Sequence, residues 1–147
     1  MVALLAYSLP AGAQTGFIAR LSMDTAWARV VRETTAVRQA FDRLSMPDLR
    51  PSEIYAALHQ FGIQGIEACA LAAKGTLVSR RLELYLTRLR QIAPELNGDD
   101  LIALGVQPGP MIGQLLKSIL AALLNGEIRT RGEEEALVLL SIAEFKS

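Results

Sequence analysis

Cysteine and histidine, the side chains that most often serve together as nucleophile and base or as zinc ligands, each occur once in this sequence, as Cys69 and His59. A thiol acts as a nucleophile only beside a base or a cation that frees the thiolate. Cys69 instead lies in Ile-Glu-Ala-Cys-Ala-Leu-Ala-Ala, an apolar helical run, and reads as a core residue. A single cysteine excludes an intramolecular disulfide and a multi-cysteine metal site, and a single histidine excludes a two-histidine site. His59 reads as the exposed end of a short helix. Asp99 and Asp100 are adjacent, so on a helix they diverge by about 100° instead of converging on one ion. The expectation is therefore no catalytic residue and no metal ligand.

The chemistry that the residue types do support is binding of anions. Residues 20–90 carry eleven basic against seven acidic side chains, a net +4, and the remainder carries −4, so that the whole chain is neutral. Ten of those eleven are arginines, whose planar fork can bind two phosphate oxygens. Such asymmetry suits a side that faces a polyanion. It is also what an ordinary solvated face with ion pairs looks like.

A second anion-binding feature lies in Gly98-Asp-Asp-Leu-Ile-Ala-Leu-Gly-Val-Gln-Pro-Gly-Pro-Met-Ile-Gly113. Asp99 and Asp100 suit a helix first turn. Gly105 follows Leu104 where a helix C-terminus wants positive φ. Pro110 suits the first position of a new helix, and Gly109 just before it leaves N–H groups facing outward at a positive dipole end. The other reading of the same glycines is structural, letting two helices turn and pack closely.

These residues need a scaffold, and the composition makes it all-α. Hydrophobic residues make up 51% of the 147, aromatics only 5%, and alternating strand-forming runs are absent. A chain of this length buries roughly 70% of the surface its unfolded form exposes. A helix is expected over 13–21, and a longer one from an Asp24 cap to about Leu44, with Trp27, Val30, Val31, Thr34, Val37, Phe41 and Leu44 inward. Pro51 opens the next, with Ile54, Tyr55, Leu58 and Phe61 inward. Gly62, Gly65 and Gly75 bracket an Ala-rich helix over 66–73 that lets neighbours approach.

The clearest amphipath is 76–92, where Val78, Leu82, Tyr85, Leu86, Leu89 and Ile92 form one stripe, with Arg80, Arg81 and Arg88 on the polar arc. After Pro94 and the glycine turn, 111–124 makes a strongly apolar helix stopped by Asn125-Gly126. Thr130 and Glu133 have capping-box spacing, and Glu134 and Glu135 reinforce the first turn of a last helix with Leu137, Leu140, Ile142 and Phe145 on its apolar side. The division expected is 1–46, a helical neck or body part, and 47–147, a helical body and tail part, packed together as one unit.

Three blocks resemble the C-terminal region of bacterial tRNA nucleotidyltransferases, the CCA-adding and poly(A) polymerase family. They are the 98–113 stretch, Leu49-Arg-Pro-Ser-Glu-Ile-Tyr55, and Leu124-Asn-Gly-Glu-Ile-Arg-Thr-Arg-Gly-Glu-Glu-Glu135, in the family's order. Gly132 departs from the family, where an acidic residue is more usual. The resemblance implies a compact multi-helix array like that C-terminal region, which holds tRNA while an N-terminal head adds nucleotides to its 3′ end. The head's Gly-Ser loop and paired Asp-x-Asp are not in this sequence. The chain alone is thus expected to be inactive and to need no cofactor, with magnesium, ATP and CTP belonging to the head of a nucleotidyltransferase parent.

The expected partners are tRNA or other RNA and that catalytic head, with a homodimer left open, and the expected RNA contacts are Arg80, Arg81, Arg88, Arg50, Gly109 and Met111. The alternative function is a helical protein-interaction or assembly module whose glycine turn is purely structural, with an apolar patch near Met1 to Leu9. At the N-terminus, an apolar run and Ala11-Gly12-Ala13 resemble a signal peptide, but the run is short and lacks a positive start. No stretch approaches the roughly 20 apolar residues of a membrane span. A cytoplasmic protein without membrane contact is expected.

Overall fold

The structure, a computed structural model, describes the backbone of residues 25–146 and the side chains of 28–144. The expected helix over 13–21, the Asp24 cap, the Trp27 and Phe145 side chains and the patch at Met1 to Leu9 lie outside the described residues. Among the described residues every regular element is helical and there is no strand. The chain divides into two units: the residues through Leu49 together with Glu53–Arg90, and Arg50–Ser52 together with Gln91 onward. The division thus falls at Arg90, well past residue 46.

The first unit contains α1 (Thr25–Gln39), α2 (Phe41–Leu44), α3 (Pro51–Leu58, from Glu53), α4 (Ile63–Ala72), α5 (Leu77–Thr87) and a 3-10 turn (Leu89–Gln91, to Arg90). The helix expected to run to Leu44 breaks after Gln39, where Ala40 N–H bonds the Val37 carbonyl at 3.0 Å before α2 continues. Of its inward stripe Val30, Val31, Thr34, Val37 and Leu44 are buried, while Phe41 is half-buried. Thr34 is tolerated there because its hydroxyl donates to the Val30 carbonyl at 2.7 Å.

α4 begins at Ile63, so Gly65 lies inside the helix and is buried against α1. A Cβ on Gly65 would stand 2.8 Å from the Glu33 Cβ and 3.0 Å from its backbone carbon. Glycine is needed there for the approach of the two helices. Cys69, one turn further on, is buried with its thiol donating to the Thr34 carbonyl at 3.3 Å. Thr76 caps α5 by accepting the Ser79 N–H at 3.1 Å. α5 stops five residues sooner than expected and tightens into the 3-10 turn ahead of Pro94, which can neither donate to nor accommodate a preceding turn.

The second unit contains α6 (Gly98–Ala103), α7 (Pro110–Asn125) and α8 (Arg131–Lys146) around a core of Leu96, Leu101, Val106, Leu115, Ile119 and Val138. α6 is opened by a capping box beyond the first-turn acids expected there. Asn97 Oδ1 accepts from Asp99 and Asp100 N–H at 2.8 and 3.1 Å, while Asp100 accepts the Asn97 N–H at 2.9 Å. Its end is a Schellman motif: Gly105 takes φ +98°, its N–H bonds Ile102, and Val106 N–H bonds Leu101 at 3.0 Å. α7 closes the same way, with Gly126 at φ +75° and Glu127 N–H on the Ala122 carbonyl at 2.9 Å.

The Thr130–Glu133 box opens α8 as expected, with Thr130 N–H on the Glu133 carboxylate at 3.0 Å. The apolar side of α8 differs from the expected one. Val138 is fully buried while Leu140 is 68% exposed, and Glu134 is buried at 1% exposure. Glu134 tolerates burial because it accepts the backbone N–H groups of Glu95 and Leu96 at 3.0 to 3.2 Å.

Candidate nucleic-acid interface

In the first unit the described residues carry nine basic and six acidic side chains, a net +3, and those of the second unit carry four and eight, a net −4. The sequence asymmetry therefore maps onto the two structural units. Arg80 and Arg88 are exposed and form no ion pair among the described residues. Arg80 projects from the face of α5 opposite buried Val78, Leu82 and Tyr85. Arg88 stands just past α5, its N–H bonding the Leu84 carbonyl at 3.0 Å, so it belongs to the helix end.

Arg81 corrects the expectation of an exposed arc. It is only 7% exposed, and its guanidinium donates to the carbonyls of Leu44 at 2.6 Å, of Pro47 at 2.8 Å and of Met46. At about 100° per residue it lies 60° from Val78, at the margin of the apolar stripe, and the bared carbonyls after α2 draw it inward. A cation whose donors are spent on three carbonyls has little left for phosphate.

The remaining expected residues are in the second unit. Arg50 is exposed and lies 3.7 Å from the Glu127 carboxylate, a loose surface pair. Gly109 precedes α7 at φ +152°, with Pro110 at the helix start and no side chain capping it. Nothing stands within 4 Å of a Cβ on Gly109, so glycine there answers to the backbone angle rather than to space. The Ile112 N–H bonds the Gly109 carbonyl at 3.2 Å, which leaves less of this turn to an anion than the sequence implies. Met111 is half-buried against the core of its unit.

Asp100 joins α6 to α8 through Arg131 at 3.0 Å, and Arg131 also reaches Glu135 at 3.2 Å. The Asn97 backbone N–H and then Arg131 hold the Asp100 carboxyl below the usual carboxylate range. The Arg129 and Thr130 N–H groups do the same for Glu133. Both acids are therefore occupied by helix ends. Among the described residues no three His, Cys, Asp or Glu side chains group as a metal site, and no helix is long and apolar enough to cross a membrane. Burial pushes the Cys69 thiol up to about 12, with Arg38 opposing it, so it stays protonated in neutral solution.

One pairing was not anticipated from the sequence. Tyr55 and His59 stack with centroids 5.4 Å apart and planes within 5°, and Tyr85 tilts onto Tyr55 at 5.9 Å. The signal was present, two rings four residues apart across the last turn of α3.

The chain is 37% identical over 87 residues to an A-adding tRNA nucleotidyltransferase of Geobacter sulfurreducens, covering 59% of this chain and 10% of that protein. It is 33% identical over 113 residues to a CC-adding tRNA nucleotidyltransferase of Thermus thermophilus, covering 76% of this chain and 24% of that protein. No family model matches the chain. No solved structure matches it either. The matched part thus spans about a tenth to a quarter of the length of these relatives. This helical chain is related to the tRNA nucleotidyltransferase family and corresponds to part of its members rather than to their full length.

Proposed function

We propose that this chain is a tRNA-contacting helical region of a tRNA nucleotidyltransferase, one that positions the RNA for 3′-end addition without itself performing the transfer. The observation that carries this is the pairing of its likeness to two tRNA nucleotidyltransferases with the concentration of exposed arginine on the first unit. Arginine contacts to phosphate hold a duplex by shape without reading sequence, which is what a region serving every tRNA needs. Arg80 and Arg88 are the contacts in this reading, and Arg81 is removed from it. Magnesium, ATP and CTP belong to a catalytic head outside this sequence.

Binding of tRNA to the chain at low and moderate salt tests the proposal. Changing Arg80 and Arg88 together to Glu should weaken binding and reduce its salt dependence, because fewer counterions are released when fewer phosphates are neutralised. Unchanged affinity and slope in the double variant would remove this surface from the reading. A second reading, a helical interaction module, is favoured by Leu139 and Leu140, exposed at 52% and 68% on α8.

A further inference from the structure

The ring of His59 is held in place before anything binds to it. Its Nδ1 lies 3.1 Å from the Ala56 carbonyl and 3.3 Å from that of Tyr55. A carbonyl can only accept, so Nδ1 carries a hydrogen and donates. One face of the ring lies on Tyr55, which is backed in turn by buried Tyr85. His59 is exposed, and its other face has no aromatic or cationic partner among the described residues.

An aromatic pair of this spacing on a helix surface contributes only a few tenths of a kcal/mol to the helix. Here the pair is additionally pinned by hydrogen bonds and backed by a third ring, on the unit that carries net +3. An open, immobilised aromatic face on a basic surface is the combination on which unpaired bases stack while their phosphates are neutralised. We propose that the open face of His59 receives an unpaired nucleobase of bound RNA, with Tyr55 and Tyr85 as its support. The proposal rests on the RNA-contacting reading above and adds to it a preference for RNA with unpaired nucleotides.

The experiment uses the full chain and two RNAs, a blunt hairpin stem and the same stem with a short single-stranded 3′ extension, followed by fluorescence anisotropy at low salt. The unaltered chain should bind the extended RNA roughly five- to tenfold more tightly than the blunt one, the scale of one stacked base. His59→Ala should abolish that difference while leaving binding of the blunt stem and the circular dichroism unchanged, and His59→Trp should restore it. A preference that survives His59→Ala, or equal binding of both RNAs by the unaltered chain, overturns the proposal while leaving the phosphate-contact reading standing. Failure to bind either RNA overturns both.

Discussion

The carboxylate of Glu134 accepts the backbone N–H of Leu96 at 3.0 Å, tying the first turn of α8 to the segment that leads into α6. With the Glu95 N–H also on it, this one buried side chain satisfies two donors that no helix supplies for. Glu134→Ala should cost about 2–4 kcal/mol, because two backbone donors lose their acceptor and a cavity opens. Glu134→Gln should cost less, since one oxygen remains to accept. Urea unfolding of the three proteins checks the order.

Arg81 should behave as a structural residue. Arg81→Ala leaves three carbonyls near α2 without donors and should destabilise by about 2–4 kcal/mol. Arg80→Ala, on the exposed face of the same helix, should stay within about 0.5 kcal/mol. Thermal unfolding separates them. Equal midpoints for the two variants would contradict the buried placement of Arg81.

Two glycines should respond to alanine with opposite sign. At Gly65 a methyl would press on the Glu33 backbone, and Gly65→Ala should cost about 1–3 kcal/mol. At Gly132, exposed within α8 and with nothing within 4 Å of a Cβ, alanine should stabilise by about 0.5 kcal/mol through helix propensity. Chemical denaturation of both variants provides the comparison.

Acid should loosen the helix starts of the second unit. Asp100 and Glu133 are held below the usual carboxylate range, so in the folded chain they take up protons at lower pH than in the unfolded one. The stability they contribute is complete above the unfolded values, 3.8 for Asp100 and 4.5 for Glu133, and is lost as pH falls through the lower folded ones. Urea midpoints should be flat between about pH 7 and pH 5 and then decline, and the decline should be shallower in an Asp100→Asn, Glu133→Gln variant.

Cys69 should resist alkylation. Its thiol is buried, bonded to Thr34 and pushed up to about 12, so a thiol reagent at neutral pH should modify it only after denaturant is added. Mass spectrometry gives the extent of labelling in both conditions. Rapid labelling of the folded chain would contradict this environment.

Much of the fold is legible in the sequence because its signals are local. Gly105, Gly126 and the Thr130–Glu133 pair mark helix ends through bonds between residues three to five apart, and the structure places them accordingly. What was not legible depends on neighbours distant in the chain. Arg81 sits at the margin of an apolar stripe, and whether it turns outward or inward is decided by carbonyls some 35 residues away. Glu134 has the spacing of an ordinary first-turn acid, and its burial follows from the backbone of Glu95 and Leu96, 39 and 38 residues before it. α8 carries apolar residues on both sides, so periodicity alone could not choose Val138 over Leu140.

The grip of Arg81 on residues 44–47 is made entirely to main-chain oxygen, which every amino acid possesses. Past the buried Leu44 the segment is therefore indifferent to its own spelling: the exposed Ser45 and Met46 can be exchanged for other residues without loosening the hold. Arg81 has no such latitude, since lysine would bring a point charge where a planar fork spans several acceptors. Tolerance to substitution is thus inverted in this corner of the chain, with the irregular stretch free to drift and one helical position locked on its behalf.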